Sequence, residues 1–175
     1  PAMLRSSDSA FATELREYTN YYSTLYDAIR AVSGASVVID SSKHPSLAFA
    51  LAARRDPDLR VVQMIRDPRA VAYSWTKATK RPEAEGVDNA NAVFTTYSPA
   101  RAARLWLGHN ASLTLLPRRG VPLLTVRHED VLDDPRGVVQ TIATWAGLPA
   151  NTAIPVSADK VAELAPTHTV SGNPM

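Results

Sequence analysis

The sequence predicts an α/β protein in which a parallel sheet carries helices on both faces. Three observations lead there. Short β-branched runs alternate with helical stretches, each run ends in a polar segment, and the helices that follow open with a capping residue and a proline. Strands separated by helices pair in parallel, because a parallel partner requires a crossover connection.

The elements follow in order. Phe11, Leu15, Tyr18, Tyr22, Leu25, Ile29 and Val32 recur at intervals of four and three, the spacing of one apolar stripe on a long helix. Ser7 or Asp8 would open that helix and Gly34 would close it. Val37-Val38-Ile39 reads as a short strand ending in Asp40-Ser41-Ser42-Lys43-His44, and Pro45 starts a helix to about Arg55. Arg60 to Ile65 reads as a second, buried strand, stopped by Arg66-Asp67-Pro68 with Asp67 as N-cap and Pro68 as first helical residue. Ser98-Pro99 opens a helix through Trp106 and Asn110, which share one face. Val121 to Val126 is a third strand, and Asp134-Pro135 starts a helix that ends near Gly147. A short helix is expected around Ala158 to Leu164. In such sheets ligands sit beyond the carboxyl ends of the strands. Chemistry is therefore expected at Asp40–His44, Arg66–Pro68 and Arg127–Asp130, with Lys43 and Arg66 on one rim.

At 175 residues and 45% hydrophobic, the chain fits a single domain with a real core. A net charge of +2 is too mild for a nucleic-acid footprint but compatible with one concentrated anion site. Cysteine is absent, which excludes disulfides and thiolate metal sites and fits a reducing, cytoplasmic setting. No stretch approaches the roughly 20 apolar residues of a membrane span. The run Glu129, Asp130, Asp133, Asp134 invites a metal reading, but Asp134 before Pro135 is better explained as a helix cap. The histidines lack ligand spacing, and no metal is expected. The polar stretch from 81 to 97 has no clear periodicity and reads either as a lid that moves or orders when an acceptor binds or as a surface excursion without function.

The most informative segment is RVVQMIRDPRAVAYSW. Arg66 leaves a strand, and Ser74 follows eight residues later in the next helix. A guanidinium offers a fork of donors to phosphate oxygens, a helical hydroxyl can complete the cradle, and the helix N-terminus favours an anion. The plain alternative is that Arg66 pairs with an acidic neighbour while Asp67 merely caps the helix.

Taken together, strand, Arg-Asp-Pro-Arg and serine resemble the 3′-phosphate-binding motif of sulfotransferases that use 3′-phosphoadenosine 5′-phosphosulfate (PAPS). The resemblance implies that Arg66 and Ser74 bind the 3′-phosphate of PAPS. VVIDSSKHP is similar to the family's second strand exit, which serves the reaction. VRHEDVLDDPRGVVQTIATWAGL is similar to its later strand-and-helix block, with His128 where many relatives carry a tyrosine. The likeness spans roughly residues 36 to 148 and implies a three-layer, P-loop-like fold.

On that reading a sulfuryl group moves from PAPS to a hydroxyl or amine on a small-molecule, carbohydrate or lipid acceptor. His44 is the candidate base, since an imidazole titrates near neutrality. Asp40 is the alternative base, or an orienting group. Lys43 would offset charge developing on the transferred group. The Asp-Ser-Ser-Lys and Arg-Asp-Pro-Arg spelling is closer to bacterial and carbohydrate-type members.

Two departures stand out. The family's Lys-x-His is here Lys43-His44, adjacent, and the loop that holds the 5′-phosphosulfate has no counterpart, since Arg5-Ser6-Ser7-Asp8 lacks its strand and glycine. The fold is therefore expected to be incomplete at the N-terminus and the chain a fragment of a longer protein. Two other functions remain on residues alone: a non-catalytic adenosine-phosphate-binding module, and a P-loop nucleotide kinase relative, which the lack of Gly-x-x-x-x-Gly-Lys-Ser/Thr disfavours.

Overall fold

A computed structural model describes residues 9–41, 44–54, 58–78, 94–157 and 159–162. Its elements are α1 (Ser9–Ser33), α2 (Pro45–Ala52), β1 (Val61–Ile65), α3 (Pro68–Thr76), α4 (Pro99–Leu113), a 3-10 turn (Leu116–Arg119), β2 (Leu123–Arg127), α5 (His128–Asp133) and α6 (Pro135–Trp145). β1 and β2 form a small parallel two-stranded sheet. Mixed helix and strand with parallel pairing therefore holds. Among the described residues, no helix is long and apolar enough to cross a membrane.

The chain divides into two units, residues 1–61 with 113–123, and residues 62–112 with 124–175. In the first, Ala52, Leu116 and Val121 form a buried cluster against which Ala48, Phe49, Leu59, Val61 and Leu113 pack. Leu116 is completely buried. The 3-10 turn closes on Gly120 at φ 80°, a left-handed position where a side chain would be strained. Val61 N–H then donates to Pro122 C=O at 3.0 Å, setting the sheet register where the strands begin.

α1 forms as its periodicity predicts and ends at Gly34 (φ 67°), whose N–H donates to Arg30 C=O at 2.9 Å. Its apolar stripe is largely uncovered: Phe11, Tyr18, Leu25 and Ile29 are exposed and Val32 is 90% exposed. Buried on this helix instead is Thr19, whose hydroxyl donates back to Leu15 C=O at 2.9 Å. Periodicity announces an amphipathic helix without naming what covers it.

Val37-Val38-Ile39, expected as a strand, joins no ladder among the described residues, and Ile39 is 84% exposed. β-branched residues lower the cost of a strand, but pairing is a tertiary event that they cannot supply alone. The expected helix near 158 to 164 does not form over its described residues 159–162, which turn back so that Ala162 pairs with Val156 in an antiparallel bridge.

The second unit holds the rest of the sheet. β1 is covered on one face only: Gln63 is buried, whereas Val62 and Met64 are exposed, so the expectation of a fully buried strand fails. The buried Gln63 amide is fully employed. Its Nε2 donates to Asn110 C=O at 3.1 Å and Asn110 Oδ1 at 3.0 Å, while its Oε1 accepts from Thr125 Oγ1 at 3.3 Å. One side chain of β1 thus holds α4 and β2 together. Apolar neighbours could not replace it without stranding Asn110.

α6 opens as predicted. Asp134 accepts from Gly137 N–H at 2.9 Å, and a Cβ at Gly137 would collide with that carboxylate. Between β2 and α6 the sequence reading missed α5. Six residues are too few to show periodicity, so its acidic start reads as a polar strand exit.

Candidate functional site

Two of the five residues singled out from the sequence, Arg66 and Ser74, lie in the second unit. β1 ends at Ile65, Arg66 follows at once, and Asp67 caps α3, accepting from Arg69 N–H at 2.7 Å. Pro68 takes the first helical position, where its missing N–H costs nothing. Ser74 stands on α3 about 9 Å along the axis from Pro68, at 1.5 Å per residue. It is exposed, and its hydroxyl makes no hydrogen bond among the described residues.

The acidic neighbours of Arg66 are engaged elsewhere. Asp67 pairs with Arg69, Nη2 to Oδ2 at 2.6 Å and Nε to Oδ1 at 3.1 Å. These contacts, the Arg69 side chain first and its backbone N–H next, pull the Asp67 carboxyl down to a pKa of about 2. Glu129 accepts from Asp67 N–H at 3.3 Å and lies 3.8 Å from Arg127. Backbone N–H groups, its own first, hold its carboxyl below the ordinary value, against the opposing effect of burial. The Arg66 guanidinium itself makes no ion pair or hydrogen bond among the described residues. Its plain alternative, pairing with an acidic neighbour, is not seen among the described residues.

Around this turn opens a recess of about 300 Å³, lined by Arg66, Asp67, Pro68, Trp106, Arg127 and Glu129. Trp106, which its helical spacing marks as a core residue, instead lines this recess half-buried and donates its indole N–H to Arg66 C=O at 3.1 Å. Sequence reasoning missed that role. The signal was the shared face of Trp106 and Asn110, one reaching the exit of β1 and the other its middle. Arg127 was expected only as part of a polar strand exit.

His44 and Asp40 lie in the first unit. His44 is the N-cap of α2, with Nδ1 2.8 Å from Ser46 Oγ and 3.5 Å from Ser46 N. The hydroxyl contact is of hydrogen-bond length, while the backbone contact is long for one. That long contact caps α2 with Nδ1 as the acceptor. Asp40 Oδ2 accepts from Tyr26 O–H at 2.6 Å. Burial first, and then this bond, raise the Tyr26 phenol above its ordinary pKa and keep it a donor.

Lys43 lies outside the described residues, and with it the expectation of a common rim with Arg66. The segment 79–93 lies outside them too, which leaves only the end of the expected lid in view. There Tyr97 N–H donates to Trp75 C=O at 2.9 Å and its ring packs on Trp75 at 5.5 Å between centroids, with Arg101 4.9 Å over the same ring.

A family model described as the sulfotransferase family matches residues 4–152, which includes every residue named above as a site candidate. No curated protein and no solved structure matches the chain.

Proposed function

Because the chain belongs to the sulfotransferase family, we propose that it transfers a sulfuryl group from PAPS to a hydroxyl or amine. The observation that carries the donor assignment is the Arg66 guanidinium at the exit of β1, beside the start of α3, with no partner among the described residues. A charged fork held out of ion pairs is suited to a phosphate dianion. Ser74 adds a neutral donor further along the same helix. Each nearby carboxylate has another cation beside it, Asp67 paired with Arg69 and Glu129 3.8 Å from Arg127, so neither competes for Arg66.

In the reaction the acceptor oxygen attacks sulfur in line as the bond from sulfur to the bridging oxygen of the 5′-phosphate breaks. The acceptor proton passes to His44 or to Asp40. Lys43 would meet the charge that gathers on the bridging oxygen. The same reading takes β1 and β2 as part of a three-layer, P-loop-like sheet, in a cytoplasmic enzyme of the bacterial or carbohydrate-type branch. It takes the acceptor as a small molecule, carbohydrate or lipid. No metal takes part in it.

Calorimetry with two ligands tests the donor assignment. Arg66→Ala should weaken adenosine 3′,5′-bisphosphate about ten-fold to a hundred-fold, the loss of one charge-assisted contact, and leave adenosine 5′-monophosphate little changed. Ser74→Ala should act in the same direction but less. Equal weakening of both ligands by Arg66→Ala would mean that Arg66 holds the fold rather than reading the 3′-phosphate.

A further inference from the structure

A single peptide group follows Arg66. Its C=O belongs to Arg66 and its N–H to Asp67, and resonance keeps the two in one plane. It lies past the last residue of β1 and ahead of the first residue of α3, where neither a ladder nor a helix supplies partners. Both edges are nonetheless bonded to side chains. Trp106 of α4 donates its indole N–H to the C=O at 3.1 Å. Glu129 of α5 accepts from the N–H through Oε1 at 3.3 Å.

We infer that Trp106 and Glu129 are positioning residues that clamp this peptide and thereby aim the Arg66 guanidinium at its anion, an inference that rests on the assignment of Arg66 to the 3′-phosphate. The reasoning is geometric. Fixing the plane fixes ψ of Arg66 and φ of Asp67, which stands at −48°. Those two angles set where the Arg66 side chain leaves the backbone and how the first turn of α3 points. Arg66 has no side-chain partner among the described residues to hold it, so its aim depends on its backbone. A long side chain on a loose turn would lose more freedom on binding, and affinity would fall accordingly. Proline at 68 and the Asp67 cap fix the turn downstream, and the clamp fixes it upstream.

The clamp has two sides that can be removed separately. Trp106→Phe keeps the ring and removes the donor. Glu129→Leu removes the acceptor, whereas Glu129→Gln retains an acceptor oxygen of the same reach. Exchange of the Asp67 amide reads the clamp without any ligand. It should be slow in the parent, faster in Glu129→Leu and slow again in Glu129→Gln. An Asp67 amide that exchanges at the rate of an open chain in the parent overturns the clamp.

Its consequence is read with the two nucleotides. Trp106→Phe should weaken adenosine 3′,5′-bisphosphate by about three- to ten-fold, the worth of one neutral hydrogen bond, with adenosine 5′-monophosphate little affected. In an Arg66→Ala background the same change should cost nothing further, because a device that acts through Arg66 has nothing left to aim. Equal losses for both ligands, or an undiminished loss in the Arg66→Ala background, would overturn the inference and make Trp106 a packing residue. A parent that shows no preference for the bisphosphate overturns the aiming role together with the assignment of Arg66. The amide exchange then shows whether the clamp itself stands.

Discussion

β1 and β2 run side by side, and each hands the chain to a helix through an arginine that lines the same recess. At the end of β2, Arg127 lies 3.8 Å from Glu129, and α5 starts directly with no side-chain cap. At the end of β1, a proline, a capping aspartate and two side-chain bonds to one peptide surround Arg66, yet its guanidinium has no partner among the described residues. The supporting apparatus is concentrated where the charged group has no such partner. Under the proposed function, that difference is what separates Arg127 from the arginine that would meet a ligand.

The largest effect that can test this contrast lies beneath both exits. Gln63 is buried and bridges β1, β2 and α4, so it keeps the two strand ends in fixed register. Gln63→Leu should destabilise the protein by about 2–3 kcal/mol, because the Asn110 and Thr125 groups it satisfies would be stranded in a partly buried setting. Urea denaturation would measure it. A neutral Gln63→Leu would mean that water replaces the amide easily, and that the exits are not held by it.

A smaller effect separates the two helix starts. The Asp67 carboxyl has a folded pKa of about 2 against an ordinary 3.8. A depressed value means that the cap contributes fully above the ordinary pKa and is lost as pH falls through the folded one. α3 should therefore loosen at its start between about pH 4 and pH 2, a window that Asp67→Asn removes. The start of α5 has no side-chain cap and changes in acid only through Glu129, whose own backbone N–H holds its carboxyl low, so Asp67→Asn should leave that start unaltered. Amide chemical shifts at Arg69 and at His128 followed over that range would show whether the two starts differ.

Much of the β1 exit is legible in the sequence, because its devices are local. Val61-Val62 favours a strand, Asp67 before Pro68 is a cap before a first helical residue, and Ser74 falls at a fixed helical offset. The same holds for Asp134-Pro135, and for Gly34 and Gly147, which adopt positive φ next to α1 and α6. What is not legible depends on distant partners. Trp106 reaches a carbonyl forty residues away in sequence, and nothing in its own helix requires that. Val37-Val38-Ile39 has strand propensity and no ladder, while the α1 stripe has helical periodicity and little cover. His44 shows a mixture: its place before Pro45 makes it a plausible cap, but its contact with Ser46 Oγ is visible only in three dimensions.

The central claim, that Arg66 and not Arg127 reads the 3′-phosphate, is tested most directly at the guanidinium groups themselves. Nitrogen-15 NMR of the arginine Nε–H resonances, titrated with adenosine 3′,5′-bisphosphate and then with adenosine 5′-monophosphate, follows both residues in one sample. The account predicts a saturable shift of the Arg66 signal with slowed proton exchange for the bisphosphate and little change for the monophosphate. Arg127 should move much less with either ligand. A bisphosphate-specific shift at Arg127 with Arg66 unmoved would contradict the account, and so would an Arg66 shift of equal size with both nucleotides.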